Sequence, residues 1–96
     1  MKTLNEITGI LKTHKDAFHL KYHVNELAIF GSYSRGENTE HSDLDILFDY
    51  DKQIGWEFLK FATELESLLN LKVDLVSKKG IKPKYFTEIE KELIYV

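Results

Sequence analysis

Apolar residues in the first part of the chain recur at helical spacing, at Leu4, Ile7, Ile10, Leu11 and Phe18, and less regularly at Leu20 and Tyr22. Thr3 and Glu6 stand where a capping box needs them, so a helix over residues 3–22 packed by one face is expected. The pattern then changes. Asn25, Glu26, Leu27, Ala28, Ile29 and Phe30 form a short, largely apolar run stopped by Gly31, which suits a buried strand entering a tight turn. Gly31 to Ser42 is small, polar or charged, and predicts a short helical turn followed by an exposed loop. Asp43 to Tyr50 returns to a strand pattern.

Residues 53–70 place Ile54, Phe58, Leu59, Ala62, Leu65, Leu68 and Leu69 on one face of a second long helix, with Glu57, Lys60, Glu64 and Glu66 off that stripe. Trp56 and Phe61 fall partly outside it, as partner contacts or as the one or two exposed apolar residues that small domains commonly carry. Leu71 to Val76 reads as a third strand, and a strand, helix, strand series predicts a right-handed parallel crossover. Lys78 to Gly80 is a loop. Pro83 opens a last helix through Glu92, because its missing donor is unused in a first turn. Leu93 to Val96 adds an edge strand or an apolar tail. The sum is an α/β (α+β) fold, a small mixed β-sheet with helices packed against it, in a single domain over residues 1–96 with no repeat or linker.

Composition narrows the function classes. A net charge of −3 gives no electrostatic reason to bind a polyanion, so no direct nucleic-acid contact is expected. The absence of cysteine excludes disulfides and thiolate metal sites. No apolar run approaches a membrane span, and the start Met1, Lys2, Thr3, Leu4, Asn5, Glu6 lacks a signal-peptide segment, so a cytoplasmic protein without membrane contact is expected.

The chemistry concentrates in Gly31, Ser32, Tyr33, Ser34, Arg35, Gly36, then Ser42, Asp43, Leu44, Asp45. Asp43 and Asp45 are two apart on a strand, so their carboxylates leave one face about 6 to 7 Å apart at the backbone and can converge on shared ions. Magnesium takes oxygen ligands and is usually held by one or two carboxylates plus substrate phosphates. An arbitrary pair of this kind more often faces water. Here, however, Gly31 and Ser32 sit where a strand gives way to a helical turn, where backbone can approach a phosphate, and Arg35 follows one turn later as a fork for phosphate oxygens. Ser42, next to the acidic pair, is a further nucleotide-side candidate. Asp74 lies in Lys72, Val73, Asp74, Leu75, Val76, an otherwise apolar strand in which a buried carboxylate would need a partner. A metal shared with Asp43 and Asp45, a role as proton acceptor, or a solvated strand edge would each satisfy it.

Gly31 and Ser32, ten residues, then Asp43, Leu44, Asp45 resemble the signature of the minimal nucleotidyltransferases of the DNA polymerase beta superfamily. The run departs from the family pattern slightly at Ser34, where alanine is commoner. The short length, the acidic third strand and the ending from Lys82 and Pro83 to Tyr95 and Val96 extend the likeness over most of the chain. The resemblance implies that Asp43 and Asp45 bind catalytic Mg2+, that Asp74 completes the metal site, and that Gly31 and Ser32 hold the triphosphate of ATP. It also implies an acceptor outside the chain, since several such proteins are antitoxins that add AMP to a tyrosine of a toxin from the higher eukaryote and prokaryote nucleotide-binding (HEPN) family.

Other signals are weaker. His19 and His23 have a zinc-compatible spacing, but Leu20 stands where a metalloprotease needs glutamate. Asp49, Asp51 and Gln53 fail as a calcium loop, with Ile54 and Lys60 in place of glycine and glutamate. Asp49 lies about 13 Å along the strand from Asp45, too far to share an ion. His41 reads as a loop residue, and Lys78, Lys79, Lys82 and Lys84 as a solvated basic cluster able to attract phosphate or an acidic surface. The leading expectation is an enzyme transferring AMP from Mg-ATP to a partner protein. The alternatives are an antitoxin that neutralises its partner by binding alone, and a nucleotidyltransferase acting on a small molecule.

Overall fold

The structure, a computed structural model that describes residues 2–52 and 55–96, opens with the capped helix that the sequence requires, α1 (Leu4–Tyr22). The Thr3 hydroxyl accepts the Glu6 N–H at 3.1 Å, and the Glu6 carboxylate accepts the Thr3 N–H at 3.1 Å, so two orphan donors are satisfied reciprocally. His23, left-handed at φ 61°, then turns the chain into β1 (Val24–Phe30). There follow α2 (Ser32–Arg35), β2 (Leu44–Tyr50), α3 (Glu57–Leu69), β3 (Val73–Ser77), a 3-10 turn (Lys78–Gly80), α4 (Pro83–Ile89), a second 3-10 turn (Glu90–Glu92) and β4 (Ile94–Tyr95).

The four strands form one mixed sheet in the order β3-β2-β1-β4. β2 and β3 are parallel, as a strand, helix, strand connection demands, while β1 runs antiparallel to both β2 and β4. The end of the chain is thus an edge strand, with Ile94 and Tyr95 opposite Ile29 and Ala28.

Alternation along the strands divides the core between two faces. Leu27 and Ile29 of β1, and Leu44, Ile46 and Phe48 of β2, join Ile7, Leu11 and Phe18 of α1 and Phe61, Leu65 and Leu69 of α3. Ala28, Phe30 and Leu47 point the other way and meet Ile89 of α4. Two long helices therefore cover one face and a single short one covers the other. Asp45 alternates with Ile46 and belongs to the more open face.

Helix α3 corrects two assignments. Phe61 is fully buried, with ring centroids 5.1 Å from Phe18, 5.1 Å from Tyr22 and 5.6 Å from Phe48, whereas Leu59 is 56% exposed. The seam runs through Phe58, Phe61, Leu65 and Leu68 at alternating three and four residue steps, and Phe61 rather than Leu59 fits that spacing. Trp56 stays on the surface at 80% exposure, as does Leu20. The helix begins at Glu57; Gln53 and Ile54, placed on it by the sequence pattern, lie outside the described residues. The last helix ends at Ile89, with Glu90–Glu92 wound more tightly.

Phe61→Ala is expected to cost about 3–5 kcal/mol, since three rings lose their common neighbour, and Leu59→Ala to stay within about 0.5 kcal/mol. Urea denaturation of the two variants checks the assignment, and equal losses would contradict it.

Candidate active site

Strand register brings the candidate residues together. Phe30, the last residue of β1, pairs with Asp45, and Asp45 pairs in parallel with Asp74 of β3. The chain leaves β1 through Gly31 at φ 77° and ψ −152°, a region essentially reserved for glycine. A side chain there has no room either, because a Cβ on Gly31 would lie 2.0 Å from Asp45 Oδ2. Helix α2 then makes a single turn and closes at Gly36, left-handed at φ 71°.

Gly31, Ser32, Arg35, Ser42, Asp43 and Asp45 line one cleft of about 340 Å3, as the sequence motif requires. Asp43 precedes β2 rather than opening it, and is exposed. The rest of the wall is Phe30, Tyr85, Ile89 and Glu92, none of which the sequence singled out for the site. A larger apolar hollow of about 780 Å3, between α1 and α3, is lined by Tyr22, Leu59 and Leu68 and lacks these carboxylates.

Asp74 lies at the solvated strand edge, one of the settings its sequence allows. β3 is the edge of the sheet, and Asp74 is exposed rather than buried among apolar neighbours, so burial is not what gives it a partner. Its partner is Asp45. Partial burial of Asp45, then the charge of Asp74 and a hydrogen bond with it, then the charges of Asp43 and Glu92, push the Asp45 carboxyl up to about 6. A cation would relieve that repulsion. Among the described residues no three acidic, histidine or cysteine side chains are gathered closely enough to hold a metal by themselves. The donor set is still chemically suited to magnesium, which keeps waters and takes substrate phosphates beside one or two carboxylates.

The polar side chains around the cleft are tied into the fold. Arg35 Nε donates to Glu37 at 2.7 Å and Nη1 to Glu92 at 2.6 Å, so the guanidinium is aligned along the wall rather than free in solvent. Ser42 Oγ accepts the Thr39 N–H at 2.8 Å and so shapes the loop that delivers Asp43. Lys78 and Lys79 are engaged elsewhere, with Glu26 at 2.9 Å and with Asp49 respectively. His41 pairs with Glu40 on the exposed loop. His19 meets the Val24 carbonyl at 3.1 Å while His23 serves as the left-handed cap, so the two histidines do different work. Glu92 escaped the sequence reading because it lies 57 residues beyond Arg35; the signal that could have found it was the need of Arg35 for a counter-charge.

Comparison with known proteins gives the family and the fold. The sequence model of the nucleotidyltransferase domain matches residues 11–96. A Methanocaldococcus jannaschii protein assigned as a protein adenylyltransferase is 48% identical, with the whole of both chains covered. Protein adenylyltransferase MntA of Thermococcus cleftensis is 41% identical over all of this chain and 98% of its own. Among solved structures, one assigned as a minimal nucleotidyltransferase superposes with a TM-score of 0.83 at 26% identity, covering 97% of this chain and 95% of its own. The fold is also similar, with a TM-score of 0.60 at 21% identity over 95% of this chain and 66% of that one, to a chain from the complex of a tri-AMPylated Shewanella oneidensis HEPN toxin with MNT antitoxin.

Two outcomes follow from Asp45 and Gly31. The Asp45 carboxyl is raised from 3.8 in the unfolded chain to about 6, so the folded state binds its proton more tightly, and stability falls as pH rises between those values. Asp45→Asn is therefore expected to stabilise the metal-free protein at pH 7, on the order of 1 kcal/mol once solvent screening of a half-buried group is allowed for, with little difference at pH 4. Thermal melts at both pH values check the sign, and no gain at pH 7 would contradict the repulsion. Gly31→Ala is expected to lose at least about 1–3 kcal/mol through backbone strain alone, measurable in the same melts.

Proposed function

This chain belongs to the nucleotidyltransferase domain family and is a nucleotidyltransferase, and from that premise we propose that it carries AMP from magnesium-bound ATP to a tyrosine hydroxyl of a HEPN-type toxin encoded beside it, as the antitoxin of that pair. One observation carries the reading: Asp43 and Asp45 share a cleft with Gly31, Ser32 and Arg35, and Asp74 stands across the strand from Asp45. Carboxylates beside a phosphate-accommodating turn are what transfer of a nucleotidyl group requires.

In the proposed reaction the acceptor oxygen forms a bond to the α-phosphorus as the bond from that phosphorus to the β-phosphate oxygen breaks, and pyrophosphate leaves. Asp43 and Asp45 would hold magnesium, which would supply positive charge at the reacting phosphate. The glycine conformation of Gly31 lets backbone approach the triphosphate, Ser32 offers its hydroxyl, and Arg35 adds a charge-assisted hydrogen bond. Asp74, exposed at the sheet edge, would serve as a third ligand of that ion or would take the proton of an acceptor arriving from solvent. Ser42 holds the loop that presents Asp43.

A protein acceptor is favoured over a small molecule because relatives matching the full length of this chain carry the name of protein adenylyltransferases. Neutralisation by contact alone is less well supported, since it would leave the acidic cleft without a task. The exposed Leu20 and Trp56 could serve docking in either case.

Incubating an excess of the toxin with a small amount of this protein, ATP and magnesium is expected to add AMP to all of the toxin, read by intact mass, with the adduct mapped to tyrosine. Asp43→Asn or Asp45→Asn should abolish the adduct, and Arg35→Ala should weaken nucleotide binding about tenfold, the worth of a hydrogen bond to a charged group. Inhibition that required equal amounts of the two proteins, left the toxin's mass unchanged and survived both aspartate substitutions would establish the contact mechanism instead.

A further inference from the structure

Glu92 has no part in the reaction outlined above, yet its carboxylate is bonded into the turn on which that reaction depends. A single oxygen, Oε2, accepts the Gly31 N–H at 3.1 Å and Arg35 Nη1 at 2.6 Å, and lies 3.3 Å from the Ser34 hydroxyl, whose one proton it shares with the Gly31 carbonyl at 2.9 Å. We propose that Glu92 is a positioning residue that clamps the Gly31–Arg35 turn, holding Gly31 clear of Asp45 and Arg35 along the cleft wall. This rests on the nucleotidyltransferase reading of the cleft, and concerns how the nucleotide side of that site is kept in shape.

Three features support it. Gly31 is buried, and the acceptor of its N–H is this carboxylate rather than a strand neighbour; a buried donor deprived of its acceptor is costly. Gly31 also lies so close to Asp45 that a Cβ would stand 2.0 Å from Oδ2, so a small rotation of this backbone bears directly on the acidic group beside it. Arg35, by contrast, is long and about half exposed, and without Glu92 its guanidinium would be held by Glu37 alone, a residue two positions away that moves with the same turn.

Glu92 is itself well anchored. It sits in the 3-10 turn between α4, whose Ile89 is packed against Ala28, Phe30 and Leu47, and β4, which is hydrogen-bonded to β1. The clamp is therefore referenced to the strand that ends at Gly31. An opposing effect has the opposite sign: a carboxylate among the phosphate-side groups repels the triphosphate and neutralises Arg35. If positioning dominates, removing Glu92 weakens nucleotide binding; if competition dominates, removing it strengthens binding.

The test uses the full chain and the variants Glu92→Ala and Glu92→Gln. A non-hydrolysable ATP analogue with magnesium is titrated by calorimetry, and the Gly31 amide is followed by hydrogen exchange in nitrogen-labelled protein without nucleotide. Glu92→Ala is expected to weaken the analogue about tenfold or more, the loss of a hydrogen bond to a charged group, and to expose the Gly31 amide to exchange. Glu92→Gln, whose amide oxygen still accepts from Gly31 and Ser34, is expected to recover most of both. Tighter analogue binding in either variant, or unchanged binding with only a lower melting temperature, overturns the proposal, as does a Gly31 amide unprotected in the wild type. A wild type that binds the analogue but modifies no toxin overturns the partner-directed function and leaves Glu92 in this role; one that binds no analogue overturns both.

Discussion

The space beside Gly31 is already filled by the Asp45 carboxylate, and much of the site's geometry is set by that one steric fact. It holds only while Phe30 is opposite Asp45, because sliding β2 by one residue would replace the carboxylate with an apolar neighbour and turn Asp45 toward the helix-covered face. The register is in turn fixed by burial, since Leu27, Ile29, Leu44, Ile46 and Phe48 must all reach the face covered by α1 and α3. Core packing thus determines where a polar group stands. The parallel pairing of β2 with β3 carries the same alignment one strand further, to Asp74.

Electrostatics leaves this arrangement under repulsion. Asp43, Asp45, Asp74 and Glu92 all raise or share the negative potential at one end of the sheet, and Arg35 is opposed there by two glutamates. An anionic substrate meets such a site favourably only in company with positive charge. The overall charge of −3 means that no broad basic surface offsets this local negative charge.

Much of this was legible in the chain. The capping box, the strand ending at Gly31 and the parallel pair around the second long helix each followed from a local rule of spacing or turn chemistry, and the structure contains them; of the two readings of residues 93–96, edge strand or apolar tail, it shows the edge strand. The cleft collects six residues of one short motif because their separations along the chain are small. What the sequence hid depended on distance or on rotation about an axis. Phe61 was misplaced because a small angular error on a helix moves a side chain from surface to core. The setting of Asp74 stayed open between a buried strand and a solvated edge, because apolar neighbours in sequence do not reveal whether a strand lies at the middle or the edge of a sheet. Glu92 and Tyr85 join the cleft only through the return of the chain along β1, which no local pattern encodes.

That return has a temporal side. During synthesis the motif from Gly31 to Asp45 leaves the ribosome well before β3, and Glu92 follows later still, 57 residues behind Arg35. Closing so long a loop carries an entropic cost before any contact offsets it. A nascent chain that has emerged only as far as α3 has its paired aspartates but neither the third carboxylate nor the strand that backs the turn. The stretch from β3 to β4 is thus what finishes the cleft, so its assembly coincides with completion of the sheet.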